Sequence, residues 1–311
     1  MRIAIMGTGG LGGYFGARLA QVGCEVTFIA RGAHLEAIRH KGLRVYSGLG
    51  DMNIYPAQAA GDPAHVGRVD TVIFAVKLWD TERAAAQLSP LLGAQTMVVS
   101  FQNGVEKDEV LAGIIGREHV VGGVGYIAAA IESPGVIRHT GTMQRLLFGE
   151  LDGARTPRVE AFAAACSDAG ILNEISPDIH RTTWEKFVFL VGLSAATSLM
   201  RQPIGVIRAN ERSRSLFLQI MREVVNVGRA SGVALDPAFA EGRLTFGDTL
   251  PAEMVASMSV DLQRGNRLEL PWLSGAVERL GRQVGVATPA NAFVTDALAL
   301  YVEGSPRDLG P

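Results

Sequence analysis

Apolar residues follow two rhythms along this chain. As far as residue 177 they gather in short unbroken runs: RIAIM (2–6), EVTFIA (25–30), VDTVIFAVK (69–77) and QTMVVSFQNG (95–104). Stretches of helical spacing separate these runs. In GGYFGARLAQVG (12–23), Phe15, Leu19 and Val22 fall at i, i+4 and i+7, and Gly23 is placed to end a helix. HLEAIRHKG, TERAAAQLSPLL and RVEAFAAACSDAG read as further helices, LRVYSG with MNIYPA as a small hairpin, and HVVGGVGYIAA, GVIRHTG and RLLFGE as added strands. Almost wholly apolar strands alternating with helices predict a doubly wound parallel sheet covered on both faces.

Beyond Pro177 the rhythm changes and no segment reads as a strand. IHRTTWEKFVFLVGLSAATSLM, RSRSLFLQIMREVVNVGRASG, PAEMVASMSVDLQRG, WLSGAVERLGRQVG and TPANAFVTDALALYVEG all suit helices. The expected organisation is an α/β domain over 1–178 and an all-helical domain over 179–311. The 311 residues suffice for two domains of ordinary size.

Composition narrows the function. A formal net charge of −2 gives no bulk attraction for nucleic acid or an anionic membrane. The longest apolar stretch, Phe187 to Met200, is broken by Gly192 and Ser194 and is too short to span a bilayer. Cys24 and Cys166 are the only cysteines, which is too few for a disulfide framework and fits a reducing cytoplasm. The six histidines form neither HxxxH nor HxH, so no metal site is expected. The partner expected is a small molecule, and the apolar helical half allows a homodimer.

The first candidate site is the turn Gly7-Thr8-Gly9-Gly10-Leu11-Gly12, placed after a strand and before a helix. There a glycine-rich GxGxxG permits a tight turn, lets a pyrophosphate approach the backbone and packs the helix closely, with the helix N-terminus facing the phosphates. The second strand then ends in FIARG, with Arg31 where an acid often grips the ribose hydroxyls. A guanidinium suits a 2′-phosphate, so NADPH is favoured over NADH.

The second candidate group lies at other strand ends. Lys77 and Asn103 close two apolar runs, at the sheet edge where ligands of open α/β sheets bind. In the helical half, Lys186, Leu190 and Ser194 share one helix face. Lys186 stands among Trp184, Phe187, Val188 and Phe189, where desolvation would ease proton donation if that face is covered; by its residues alone it reads rather as a snorkelling lysine at a helix end. Ser257, Asp261 and Glu269 read as ordinary surface residues, with Gly265 and Asn266 marking a helix end.

Taken in order, GTGGLGGYFGARLA with Arg31, VIFAVKLWD, SFQNGVE, SPGVIRHTG, WEKF and SMSVDLQRGNRLE resemble the ketopantoate reductase (2-dehydropantoate 2-reductase) family over essentially the full chain. The resemblance implies a Rossmann domain followed by a helical domain like that of 6-phosphogluconate dehydrogenase. It implies NADPH-dependent reduction of a 2-oxo acid to a 2-hydroxy acid: 2-dehydropantoate to pantoate in pantothenate biosynthesis, or a less polar analogue. On the family's pattern Arg31 would meet the 2′-phosphate, and Lys77 and Asn103 would lie by the nicotinamide ribose and substrate. Ala129 would touch the cofactor through its backbone. Lys186 would be the general acid, Ser257 would bind the substrate carboxylate, and Glu269 would hold the cofactor or the lysine. Where the family carries asparagines after the lysine, this chain has Leu190, Ser194 and Ile204. A more apolar pocket is therefore expected. The other readings are an NAD-linked D-2-hydroxyacid dehydrogenase of the same superfamily and a non-catalytic dinucleotide-binding sensor.

Overall fold

The computed structural model describes residues 1–305, which divide into two compact units, Met1–Thr182 and a second that begins at Thr183. The division falls inside one helix, a few residues past the expected boundary.

The first unit begins β1 (Arg2–Met6), α1 (Gly10–Gln21), β2 (Glu25–Ile29) and α2 (Gly32–Lys41). It continues with the hairpin β3 (Leu43–Tyr46) and β4 (Met52–Ile54), then β5 (Gln58–Ala60), β6 (Thr71–Phe74), α3 (Thr81–Ala85), β7 (Met97–Ser100) and α4 (Lys107–Ile115). Two long strands, β8 (Val120–Ser133) and β9 (Val136–Glu150), precede α5 (Pro157–Asp168) and β10 (Leu172–Ile175). The strand order is β4-β3-β9-β8-β7-β6-β1-β2-β5, with β10 also on β9. From β5 to β8 every pairing is parallel.

The unbroken apolar runs have a direct cause. Successive side chains of a strand point to opposite faces, and here both faces are covered. Ile3 and Ile5 enter one core with Tyr14, Phe15 and Phe28, while Ala4 and Met6 enter another with Phe74, Val98 and Leu111.

The sheet as a whole is mixed rather than parallel. β8 and β9 form an antiparallel hairpin, and β3 pairs antiparallel with β4. The two halves of β9 have different outer neighbours: Val136–Arg138 pairs with β3 and Arg145–Phe148 with β10. The strands before Lys77 and Asn103 are shorter than their apolar runs, because ladder pairing ends at Phe74 and Ser100, while Ala75 and Val76 stay half-buried and Phe101 and Gln102 buried.

The helical unit comprises α6 (Ile179–Met200), which starts in the first unit, then α7 (Ile204–Ala209), α8 (Glu211–Ala230), α9 (Phe239–Asp248), α10 (Ser257–Gln263), α11 (Ser274–Val284) and α12 (Pro289–Leu298). Among the described residues no strand follows β10, and no helix is long and apolar enough to cross a membrane. A buried carboxylate organises the unit. Glu223 on α8 accepts from Ala290 N (2.8 Å) and Asn291 N (2.9 Å) at the start of α12, where the helix dipole favours negative charge.

Candidate active site

The glycine turn is built by close approach. Gly7 has φ +102°, and a Cβ there would lie 2.7 Å from Val76 N, so only glycine fits. Thr8 is buried. Its N–H and its hydroxyl both donate to Ile29 O, at 3.1 and 3.0 Å, so its side chain serves the fold. The helix begins at Gly10, earlier than the glycine spacing suggests, with Gly9 as its N-cap. Around Gly9 a Cβ would meet nothing within 4 Å, and no side chain caps the first turn. At Gly10 a Cβ would lie 2.0 Å from Ala129 O, and at Gly12 it would lie 2.3 Å from Gly7 O. Leu11 packs under β8, 2.9 Å from where a Cβ of Gly125 would stand. The turn therefore offers uncapped N–H groups to an open space beside the Ala129 carbonyl. A pyrophosphate fits such a cradle.

Arg31 is the N-cap residue of α2, just past the end of β2. Its Nη1 lies 3.6 Å from Asp80 Oδ2, and Arg83 Nη2 donates to Asp80 Oδ1. Two guanidinium groups thus share one carboxylate. Asp80 escaped notice in the sequence because it stands 49 positions after Arg31. The pairing of both β2 and β6 with β1 brings them together. Lys77 is exposed and precedes a short 3-10 turn, Leu78–Asp80; its Nζ is 5.5 Å from the Trp79 ring centre. Asn103 is half-buried in the bend between β7 and α4.

In the helical unit, Lys186 is half-buried on α6, flanked by the buried Phe187 and Val188. Leu190, one turn on, is half-buried; Ser194 is 1% exposed and its hydroxyl has no hydrogen-bond partner. Ser198, a further turn along the same face, is also buried and unpartnered. Ile204 does not join this face: it is 1% exposed at the start of α7, with its Cδ1 3.5 Å from where a Cβ of Gly247 would be. Ser257 is exposed in the first turn of α10. That turn is fastened to α6 by Ala256 N to Thr197 Oγ1 (3.3 Å) and Ser259 Oγ to Thr197 O (3.2 Å). Asp261 accepts from the Asn266 side chain at 3.0 Å, and Gly265, at φ +67°, ends the segment as expected. Glu269 departs from its surface reading. It is 8% exposed and caps the 3-10 turn Leu270–Trp272, because the chain turns inward at Leu268 and Leu270. Among the described residues no group of three or more His, Cys, Asp or Glu side chains could hold a metal ion.

A Rossmann-type unit followed by an all-helical unit defines the broad class, that of two-domain oxidoreductases. The family model described as "Ketopantoate reductase PanE/ApbA" matches residues 3–153, and "Ketopantoate reductase PanE/ApbA C terminal" matches 178–302. A 2-dehydropantoate 2-reductase of Mesorhizobium japonicum is 33% identical over 311 residues, covering 93% of this chain and 94% of the relative. The crystal structure of 2-dehydropantoate 2-reductase from Geobacter metallireducens superposes with a TM-score of 0.90 at 32% identity, covering 96% of this chain and 99% of that one. A D-mandelate dehydrogenase solved with NADH and anilino(oxo)acetate shares the fold, at TM-score 0.89 and 22% identity, covering 97% of this chain and 98% of that one. The chain belongs to the ketopantoate reductase family of oxidoreductases.

Proposed function

We propose that this protein uses NADPH to reduce a 2-oxo acid whose side chain is less polar than that of ketopantoate. One observation carries the cofactor reading: the open, uncapped turn at Gly9 lies on the same sheet edge as Arg31, which replaces the usual acid after β2. In this reading the N–H groups of Gly10 and Leu11 hold the pyrophosphate, Arg31 holds the 2′-phosphate, and the Ala129 carbonyl borders the site. When bound, NADPH supplies the hydride.

The chain's own residues do the rest. Ser257, in the first turn of α10, binds the substrate carboxylate. Lys77 and Asn103 orient the cofactor ribose and the substrate. Lys186 Nζ holds a proton at the carbonyl oxygen, steadies the negative charge that grows there, and delivers the proton. Glu269 keeps that ammonium in place. Leu190 supports the substrate reading: a half-buried leucine on the lysine's face offers no hydrogen bond to a polar tail, a loss of about 1–3 kcal/mol.

The test is NADPH oxidation across 2-oxo acids of graded size and polarity, ketopantoate included. Turnover should be best with apolar side chains. A clear optimum on ketopantoate would overturn the side-chain assignment. Cofactor binding with no turnover on any 2-oxo acid would return the protein to the sensor reading.

A further inference from the structure

Three segments named above meet at one peptide. Val76 N is 2.7 Å from where a Cβ of Gly7 would be, Val76 precedes Lys77, and Val76 O accepts from Gln102 Nε2 at 3.0 Å. Gln102 itself precedes Asn103. Gln102 is 7% exposed, and both ends of its carboxamide are engaged. Besides Val76 O, Nε2 donates to Thr81 Oγ1 at 2.8 Å, and Oε1 accepts from Ser100 Oγ at 3.1 Å. Thr81 Oγ1 in turn donates to Leu78 O at 2.7 Å. One side chain thus grips the carbonyl before Lys77 directly and the carbonyl after it through Thr81.

The near end of the grip is equally anchored. Lys107 Nζ, whose side chain is wholly buried, donates to Ser100 O at 3.0 Å and to Asp108 Oδ1 at 2.8 Å. Ser100 is therefore held by its carbonyl and by its hydroxyl. Along β6 and β7 the backbone ladder pairs Thr71 with Met97 through to Phe74 with Ser100, and Phe101 N still donates to Phe74 O at 3.1 Å. Beyond that point the backbones diverge into separate bends, and the Gln102 side chain continues the pairing. Burying an amide at such a place costs free energy unless each of its groups is satisfied. Here they are, by the carbonyl that precedes a candidate site residue and by the hydroxyls of Thr81 and Ser100.

We propose that Gln102 is a positioning residue that sets the separation of Lys77 and Asn103. It binds the carbonyl before the first directly, reaches Leu78 O beyond it through Thr81, and is covalently joined to the second. The proposal rests on the reading that Lys77 and Asn103 work on cofactor and substrate.

The test uses Gln102→Leu, which keeps the bulk and loses every polar contact, in the full-length protein. Three quantities are measured: amide hydrogen exchange over 75–81, thermal stability, and kcat/KM with the best 2-oxo acid. The last two are repeated in a Lys77→Ala/Asn103→Ala background. Exchange over 75–81 should quicken about tenfold. In the otherwise native protein kcat/KM should fall by about tenfold or more, since small misplacements of orienting groups are costly. In the double-alanine background the further loss should be under about twofold, while the Tm shift is the same in both. An equal proportional loss of kcat/KM in the two backgrounds, or unchanged exchange, would overturn the proposal. Should Gln102→Leu fail to fold, Thr81→Val approaches the same grip from its far end and should quicken the same exchange. If the double-alanine protein turns over normally, the assignment of Lys77 and Asn103 fails and takes the catalytic half of this proposal with it. The exchange result then judges the grip alone.

Discussion

Arg31 Nη1 and Asp80 Oδ2 lie 3.6 Å apart, so the guanidinium that replaces the usual acid after β2 faces an acid from another loop. Arg83 engages the same carboxylate. The cluster carries two positive charges and one negative. A 2′-phosphate would gain from both arginines and be repelled by Asp80. Arg31→Ala should weaken NADPH binding roughly tenfold to a hundredfold and leave NADH nearly unchanged, the scale of one lost charge-assisted hydrogen bond. Asp80→Asn should move the other way, tightening NADPH relative to NADH. Fluorescence titration of both cofactors checks this. Equal effects on the two would point to the NAD-linked reading, with Asp80 as the group that grips the ribose.

The glycine turn separates binding from folding. Gly9→Ala places a methyl in open space, so Tm should hold while dinucleotide affinity falls. Gly10→Ala drives a methyl to within 2.0 Å of Ala129 O, so the turn or β8 must shift. Such overpacking costs about 1–3 kcal/mol. Parallel melts and NADPH titrations of the two variants should show opposite profiles.

Lys186→Ala should lower kcat by about 10²–10⁴, the usual range for a positioned general acid, with NADPH affinity preserved. Single-turnover kinetics in excess cofactor isolates the step. Near-native turnover would take Lys186 out of the mechanism.

Cys166 is fully buried on α5, and burial pushes its thiol well above the ordinary range. The folded state therefore keeps its proton where the unfolded chain has lost it. Stability linked to this group is complete below the ordinary thiol pKa and declines as pH rises above about 8.5. Urea unfolding from pH 7 to 10 should show that decline. Cys166→Ala should flatten it, starting from a lower plateau because a buried sulfur has been removed.

Much of this was legible in the chain. Strands buried on both faces announce themselves as unbroken apolar runs, and α6 matches its helical segment from Ile179 to Met200. The glycine turn was legible because close backbone approach at Gly7, Gly10 and Gly12 demands glycine there. What escaped had weak local signals. The helix α9 carries Gly242 and Gly247, β5 spans only three residues, and α7 has six. The β8–β9 hairpin read as separate strands because β9 is polar through His139, Thr140, Gly141 and Thr142. Asp80 and Gln102 were invisible for a different reason: Arg31 for the first, and Val76 and Thr81 for the second, are distant in sequence, and only the order of strands in the sheet makes them neighbours.

The register of β8 against β9 slips between Ile127, paired with Gln144, and Ala129, paired with His139, so that residues 140–143 of β9 stand opposite the single residue Ala128. Side chains of a strand alternate in direction, so one residue more or less inverts everything downstream. The carbonyl beside Gly10 belongs to Ala129, the first residue of β8 to pair again once β9 has absorbed its surplus. Trimming one residue of that surplus would change no chemical group at the turn, yet it would throw the two halves of β9 out of step across it.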